Sequence, residues 1–175
     1  MKNIIAILYG PVGGNTERIA SLIFQKIGPE KCELLPVKSL DEQALAQYKN
    51  IIIGCSTIGT HTWSHKNSSS DWDNFMPRLK KMDFTNKKVA IFGLGDQLAY
   101  ANNFVDAMRN VYDVVNENGA TVIGHCPVEG YEFNESAAVI DGKFVGLPLN
   151  EDYEEELSES RIDSWLKSIT PQFLL

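Results

Sequence analysis

Short, unbroken apolar runs rich in Ile and Val recur along the chain at 4–9, 51–55 and 89–94, with shorter ones at 32–37 and 121–124. A strand wetted on one face alternates apolar with polar residues, so continuous runs are expected of strands covered on both faces. Between the runs the spacing changes to that of a helix. Ile19, Leu22, Ile23, Phe24 and Ile27 form one stripe, stopped by Gly28-Pro29. Phe104, Val105, Met108, Val111, Tyr112 and Val115 form a second, closed by Asn118-Gly119. Ile162, Trp165, Leu166 and Ile169 form a third, with Ser158 or Ser160 as the expected N-cap and Pro171 as its end. Five alternations of this kind imply parallel strands joined by right-handed crossovers, with helices on both faces of one sheet. With 175 residues, 43% of them hydrophobic, the chain is expected to form a single domain over 1–175 with a sizeable core. The segment 126–149 interrupts the alternation. Its turn signals at Gly130 and Asp141-Gly142 predict an inserted hairpin-like excursion.

Charge is divided unevenly. Residues 1–88 hold 12 Lys/Arg and 8 Asp/Glu, a balance of +4, whereas residues 89–175 hold 4 and 15, a balance of -11. This argues against a nucleic-acid binder of the uniformly basic kind and against anionic lipid as a partner for the acidic half. Cys32, Cys55 and Cys126 lack the paired spacing of a zinc site or redox dithiol, and the first two fall in strands, where a thiol behaves as a small buried hydrophobe. The run at 4–9 is too short for a signal-peptide core, and no stretch approaches the ~20 apolar residues of a membrane span. A cytoplasmic protein with reduced thiols is the expectation.

An open parallel sheet binds ligands beyond the carboxyl ends of its strands, where strand order reverses. Three loops lie there. Gly10-Pro11-Val12-Gly13-Gly14-Asn15-Thr16 runs from strand into helix and can curl its N-H groups around an anion at the helix N-terminus. Asn15 stands where a Walker sequence has lysine, which argues against a nucleoside triphosphate, and GxGxxG spacing is absent. A terminal phosphate held by neutral donors fits, as does a plain turn for tight strand-to-helix packing. Ser56-Thr57-Ile58-Gly59-Thr60 opens the second loop, with Ile58 able to press on a flat ligand and Gly59 free to change conformation. His61 and His65 lack the further ligands of a metal site and are expected to be solvated. In the third loop, Leu94, Gly95 and Asp96 can read the polar edge of a heterocycle, and Tyr100 can stack on its face or pack on its own helix. A phosphate cradle, two ring-flanking side chains and an edge reader match the parts of flavin mononucleotide (FMN).

On these residues the sequence resembles the flavodoxins, and their long-chain members in particular. The resemblance rests on Tyr9-Gly10 with Gly14-Asn15-Thr16, on Phe92-Gly93-Leu94-Gly95-Asp96-Gln97 with Tyr100 and Asn103-Phe104, on Gly130-Tyr131-Glu132-Phe133, and on Asp141-Gly142-Lys143-Phe144-Val145-Gly146-Leu147. It implies an α/β fold with a five-stranded parallel sheet in the order 2-1-3-4-5, helices on both faces and a long-chain insertion in the last strand. It also implies non-covalent FMN, with residues 11–16 (Pro11, Val12, Gly13, Gly14, Asn15, Thr16) at the phosphate. Ile58 would take the inner and Tyr100 the outer side of the ring, Ser56, Thr57, Gly59 and Thr60 would line it, and Leu94 to Asp96 would meet its pyrimidine edge. Asn103 and Asp152 would lie near the ring or ribityl chain. Two departures stand out. The family usually has Ser or Thr at the positions of Pro11 and Gly13, and losing two hydrogen bonds of about 1.5 kcal/mol each would weaken FMN by about a hundredfold. Many relatives have Trp where Ile58 stands.

The function implied is that of a low-potential one-electron carrier, working through the semiquinone/hydroquinone couple of its flavin rather than as an enzyme. Gly59 would make rotation of its carbonyl toward flavin N5 inexpensive. With no Lys or Arg in the three loops, Asp96 and Asp152 would disfavour the fully reduced anion. The partners would be basic-faced redox proteins, a flavodoxin/ferredoxin reductase and an electron-accepting enzyme, met by a monomer that binds neither nucleic acid nor membrane. The competing readings are a flavodoxin-like NAD(P)H-dependent quinone or flavin reductase and a flavin-free interaction module.

Overall fold

The computed structural model describes residues 5–56 and 70–174. In chain order the elements are β1 (Ile5–Tyr9), α1 (Asn15–Ile27), β2 (Cys32–Pro36), a 3-10 turn, α2 (Glu42–Ala46), β3 (Asn50–Ser56), α3 (Asp71–Leu79), β4 (Lys88–Leu94), α4 (Ala107–Glu117) and β5 (Thr121–Ile123). Three short strands follow, β6 (Cys126–Pro127), β7 (Val139–Ile140) and β8 (Lys143–Phe144), then β9 (Leu147–Leu149) and α5 (Glu155–Ile169). The continuous apolar runs become parallel strands in the order β2-β1-β3-β4-β5, as expected.

Alternate residues of each strand serve opposite faces. Ile7, Ile52 and Phe92 pack with Ile19 and Ile23 of α1 and Ile162, Trp165 and Ile169 of α5. Leu8, Ile53 and Ile91 pack with Phe75 and Leu79 of α3 and Met108 and Val111 of α4. Close packing of the central strands needs glycine. A Cβ on Gly54 would sit 2.0 Å from the Phe92 ring, and one on Gly93 would sit 2.3 Å from Met108.

The fifth position of the sheet is filled in two pieces. β5 pairs with the first half of β4, Lys88↔Thr121 to Ala90↔Ile123, and β9 with its second half, Phe92↔Leu147 to Leu94↔Leu149. The excursion between them folds as the antiparallel sheet β6-β8-β7. Phe104 anchors it, with ring centroids 5.6–5.9 Å from Tyr131, Phe133 and Phe144. The boundary expected at 149 is therefore corrected, because Leu147–Leu149 belongs to the main sheet.

A second correction concerns α5, which begins at Glu155 and contains both Ser158 and Ser160. The turn ahead of it is built by Asn150, whose carbonyl accepts the Glu154 N-H at 3.0 Å and whose side-chain oxygen accepts the Tyr153 N-H at 3.3 Å. Glu155 and Glu156 then place negative charge in the first turn, where the helix dipole favours it. Helix α3 is absent from the stripes read above. Ser70 and Asp73 close it with a reciprocal capping box.

Candidate functional site

The strand order reverses between β1 and β3, and a cleft of about 400 Å³ opens beyond the carboxyl ends of β1, β3 and β4. Clefts of this size hold small organic ligands. Its lining is Pro11, Gly14, Asn15, Thr16, Ser56, Leu94, Gly95, Asp96, Tyr100, Glu151 and Asp152. The three expected loops thus converge on one space, joined by a fourth segment that leads from β9 into α5.

At one end stands the N-terminus of α1. Its cap, Gly14, contributes no side-chain hydrogen bond, so the first turn meets the cleft with backbone and with the side chains of Asn15 and Thr16. Gly13 turns the chain into the helix with φ +87°, a value that favours glycine. Trp72 of α3 holds the loop from beneath, its buried indole Nε1 donating to the Gly10 carbonyl at 3.0 Å. At the other end, Tyr100 lies at the mouth with its side chain half in solvent, positioned to cover a flat ligand.

The third loop owes its shape to Asp96. Oδ1 accepts the N-H groups of Leu98 at 2.9 Å and Ala99 at 2.8 Å, and the Gly95 N-H is donated to the Leu149 carbonyl at 3.0 Å. Asp96 is therefore an organiser of the loop as well as a charge beside the cleft. Val12 and Gly13 are exposed and are not among the residues lining the cleft, although Pro11 and Gly14 on either side of them are. Asn103 is also outside the lining, its side-chain amide donating to Asp106 at 3.1 Å. Thr57, Ile58, Gly59 and Thr60, with His61 and His65, fall outside the described residues.

Sequence reasoning missed Glu151. Its carboxylate is 2% exposed, lines the cleft, accepts the Ser158 hydroxyl and pairs with the Arg18 guanidinium of α1, which also reaches Glu155 at 3.5 Å. The three loops carry no cation, but Arg18 is brought to their edge and committed to these two acids. The only advance signal was the acidic run after β9, which gave no hint of which carboxylate turns inward.

Fold and site together define a doubly wound α/β protein whose ligand cleft lies at the topological switch point, with an anion-compatible helix terminus at one end and an aromatic ring at the other. The sequence model of the flavodoxin family matches residues 7–165. A flavodoxin of Synechocystis sp. is 42% identical over 168 residues, covering 95% of this chain and 96% of that protein. A flavodoxin of Haemophilus influenzae is 37% identical, covering 98% and 97%. Among solved structures, the flavodoxin of Fusobacterium nucleatum bound to flavin mononucleotide superimposes with a TM-score of 0.85 at 28% identity, covering 97% of this chain and 98% of that one. The chain belongs to the flavodoxin family.

Proposed function

We propose that this chain binds FMN non-covalently in the cleft and serves as a low-potential one-electron carrier between redox proteins, as a flavodoxin of the long-chain kind. The observation that carries the reading is the convergence, at the switch point, of the α1 terminus, Ser56, the Leu94-Gly95-Asp96 backbone and Tyr100. The residues fit the group: neutral donors face the phosphate end, an aromatic face meets the ring, and the cleft volume suits a mononucleotide. FMN supplies the electron chemistry when bound, and the protein supplies orientation and electrostatics. Residues 11–16 hold the phosphate end, Ile58 takes the inner and Tyr100 the outer side of the ring, and Ser56, Thr57, Gly59 and Thr60 line it. Asp96 and Asp152 keep the environment anionic, which opposes addition of the last electron, while Arg18 neutralises Glu151. Asn103, held by Asp106, acts through the shape of its loop.

The partner surface follows from charge. Asp152 lines the cleft and Glu155 and Glu156 follow it in the first turn of α5, while Lys49, Lys87 and Lys88 stand at the starts of β3 and β4, the opposite end of the sheet. The resulting dipole orients basic-faced partners toward the cleft. Exposed Val12, Leu98, Tyr100 and Tyr153 on the cleft's loops supply apolar contact. Among the described residues no helix is long and apolar enough to cross a membrane.

Stepwise reduction of the FMN-loaded protein, followed by absorption, tests the reading. A stable one-electron stage is expected. Direct two-electron bleaching with steady NAD(P)H oxidation by the protein alone would instead identify a reductase, and failure to take up FMN would leave an interaction module.

A further inference from the structure

Two carboxylates already occupy two backbone donors of the first loop, the Val12 and Gly13 N-H groups. Glu17, in the first turn of α1, accepts the Gly13 N-H at Oε2 over 2.5 Å, and its Oε1 accepts the Tyr9 hydroxyl at 3.3 Å. Asp71, the first residue of α3, accepts the Val12 N-H at Oδ2 over 3.0 Å. Pro11, just before them, has no N-H to offer. Positions 11–13 therefore hold no uncommitted backbone donor. Among the described residues neither Glu17 nor Asp71 meets a cation, and the neighbouring Arg18 is committed to Glu151 and Glu155.

We propose that Glu17 and Asp71 are built-in competitors of the phosphate: they pair with two N-H groups of the loop and oppose the phosphate when it arrives, so that the site discriminates only weakly between FMN and riboflavin. The inference rests on the FMN reading above. A phosphate monoester carries close to two negative charges at neutral pH and binds through charge-assisted N-H bonds. Here two of the loop's N-H groups are already bonded to carboxylates, and a phosphate oxygen can take either one only after its carboxylate gives it up. Charge repulsion acts in the same direction. Glu17 can retain the Tyr9 hydroxyl as it withdraws from Gly13.

The test is the pair of dissociation constants for FMN and riboflavin, measured by flavin fluorescence quenching on the wild-type chain, Glu17→Gln, Asp71→Asn and the double variant. Both substitutions keep the size of the side chain and an acceptor oxygen. Each is expected to tighten FMN by about fivefold, the scale of a surface charge interaction, and the double variant by more than tenfold, while riboflavin changes less than twofold. Inorganic phosphate should also compete with FMN at lower concentration in the double variant. An FMN-to-riboflavin preference that stays constant or falls in the double variant overturns the proposal while leaving FMN binding intact. A wild-type chain that takes up neither flavin overturns it together with the FMN reading.

Discussion

Two tryptophans make the same bond in different places, and the pair separates loop positioning from stability. Trp72 donates to the Gly10 carbonyl at 3.0 Å, and Trp165 donates to the Gly124 carbonyl at 2.9 Å; both are buried, at 2% and 3% exposure. Gly10 opens the candidate phosphate loop. Gly124 lies where β5 gives way to the excursion, on the α5 side of the sheet. Replacing either indole by phenylalanine removes the donor, leaves a buried carbonyl without it at a cost of about 1–3 kcal/mol, and forfeits about 1 kcal/mol of apolar contact through the smaller ring. Each variant is therefore expected to lose about 2–4 kcal/mol. Urea unfolding of the FMN-free protein, followed by far-UV circular dichroism, should show lower midpoints with unchanged slopes. The affinities should diverge. Trp72→Phe lets the Gly10 carbonyl move and with it the turn into α1, and loss of one charge-assisted bond to phosphate weakens FMN by about tenfold. Trp165→Phe should leave FMN affinity within twofold. Equal FMN affinities for the two variants, or a midpoint unchanged in Trp72→Phe, would refute the claim that this indole positions the loop.

Other consequences can be measured separately. Gly146→Ala places a Cβ 2.1 Å from the Ile91 carbonyl oxygen, so β9 must shift from its place beside β4; a loss of about 3 kcal/mol is expected in urea unfolding, and a neutral result would contradict the close approach. Asn50 is buried and ties down the chain end, its Nδ2 donating to the Leu174 carbonyl at 2.6 Å and its Oδ1 accepting the Leu174 N-H at 2.7 Å, so Asn50→Ala should cost about 2 kcal/mol in the same assay. Burial pushes the thiols up from 9.0, Cys32 to about 11, with a smaller contribution from Glu30, and Cys55 and Cys126 to about 12. Because the folded values lie above the unfolded ones, the stabilisation is complete below pH 9 and is lost as pH rises toward 11–12; the urea midpoint should fall steadily across that window, and a flat midpoint to pH 11 would refute the assignment. Association with a basic-faced redox partner should slow by about tenfold between low and physiological salt, measured by stopped flow, whereas a salt-independent rate would remove the acidic face from the docking account.

How far the site was legible depends on the reach of each signal. The loops at 10–16 and 94–100 follow directly from strands whose apolar runs are local, and the residues that line the cleft from them could be named in advance. Helix α3 was also within reach, since Trp72, Phe75, Met76 and Leu79 recur at helical spacing behind Ser70, although Pro77 inside the helix blurs the pattern. The start of α5 was misplaced because serine is a good cap in general, and only the bonds made by Asn150 show where the turn is closed.

The sequence by itself determined the parallel sheet, its coverage on both faces and the end at which the cleft opens, because strand and helix periodicities are properties of neighbouring residues. Tertiary structure decided what depends on residues far apart in the chain. Leu147–Leu149 is three residues long with Pro148 at its centre, and becomes a strand of the main sheet only through its register with β4. Glu151 turns inward because Arg18 reaches it from α1 and Ser158 from α5. The Val12 amide finds its carboxylate 59 residues away, in Asp71. A buried or competing charge is set by what folding brings within a few ångströms of it, and no local pattern carries that information.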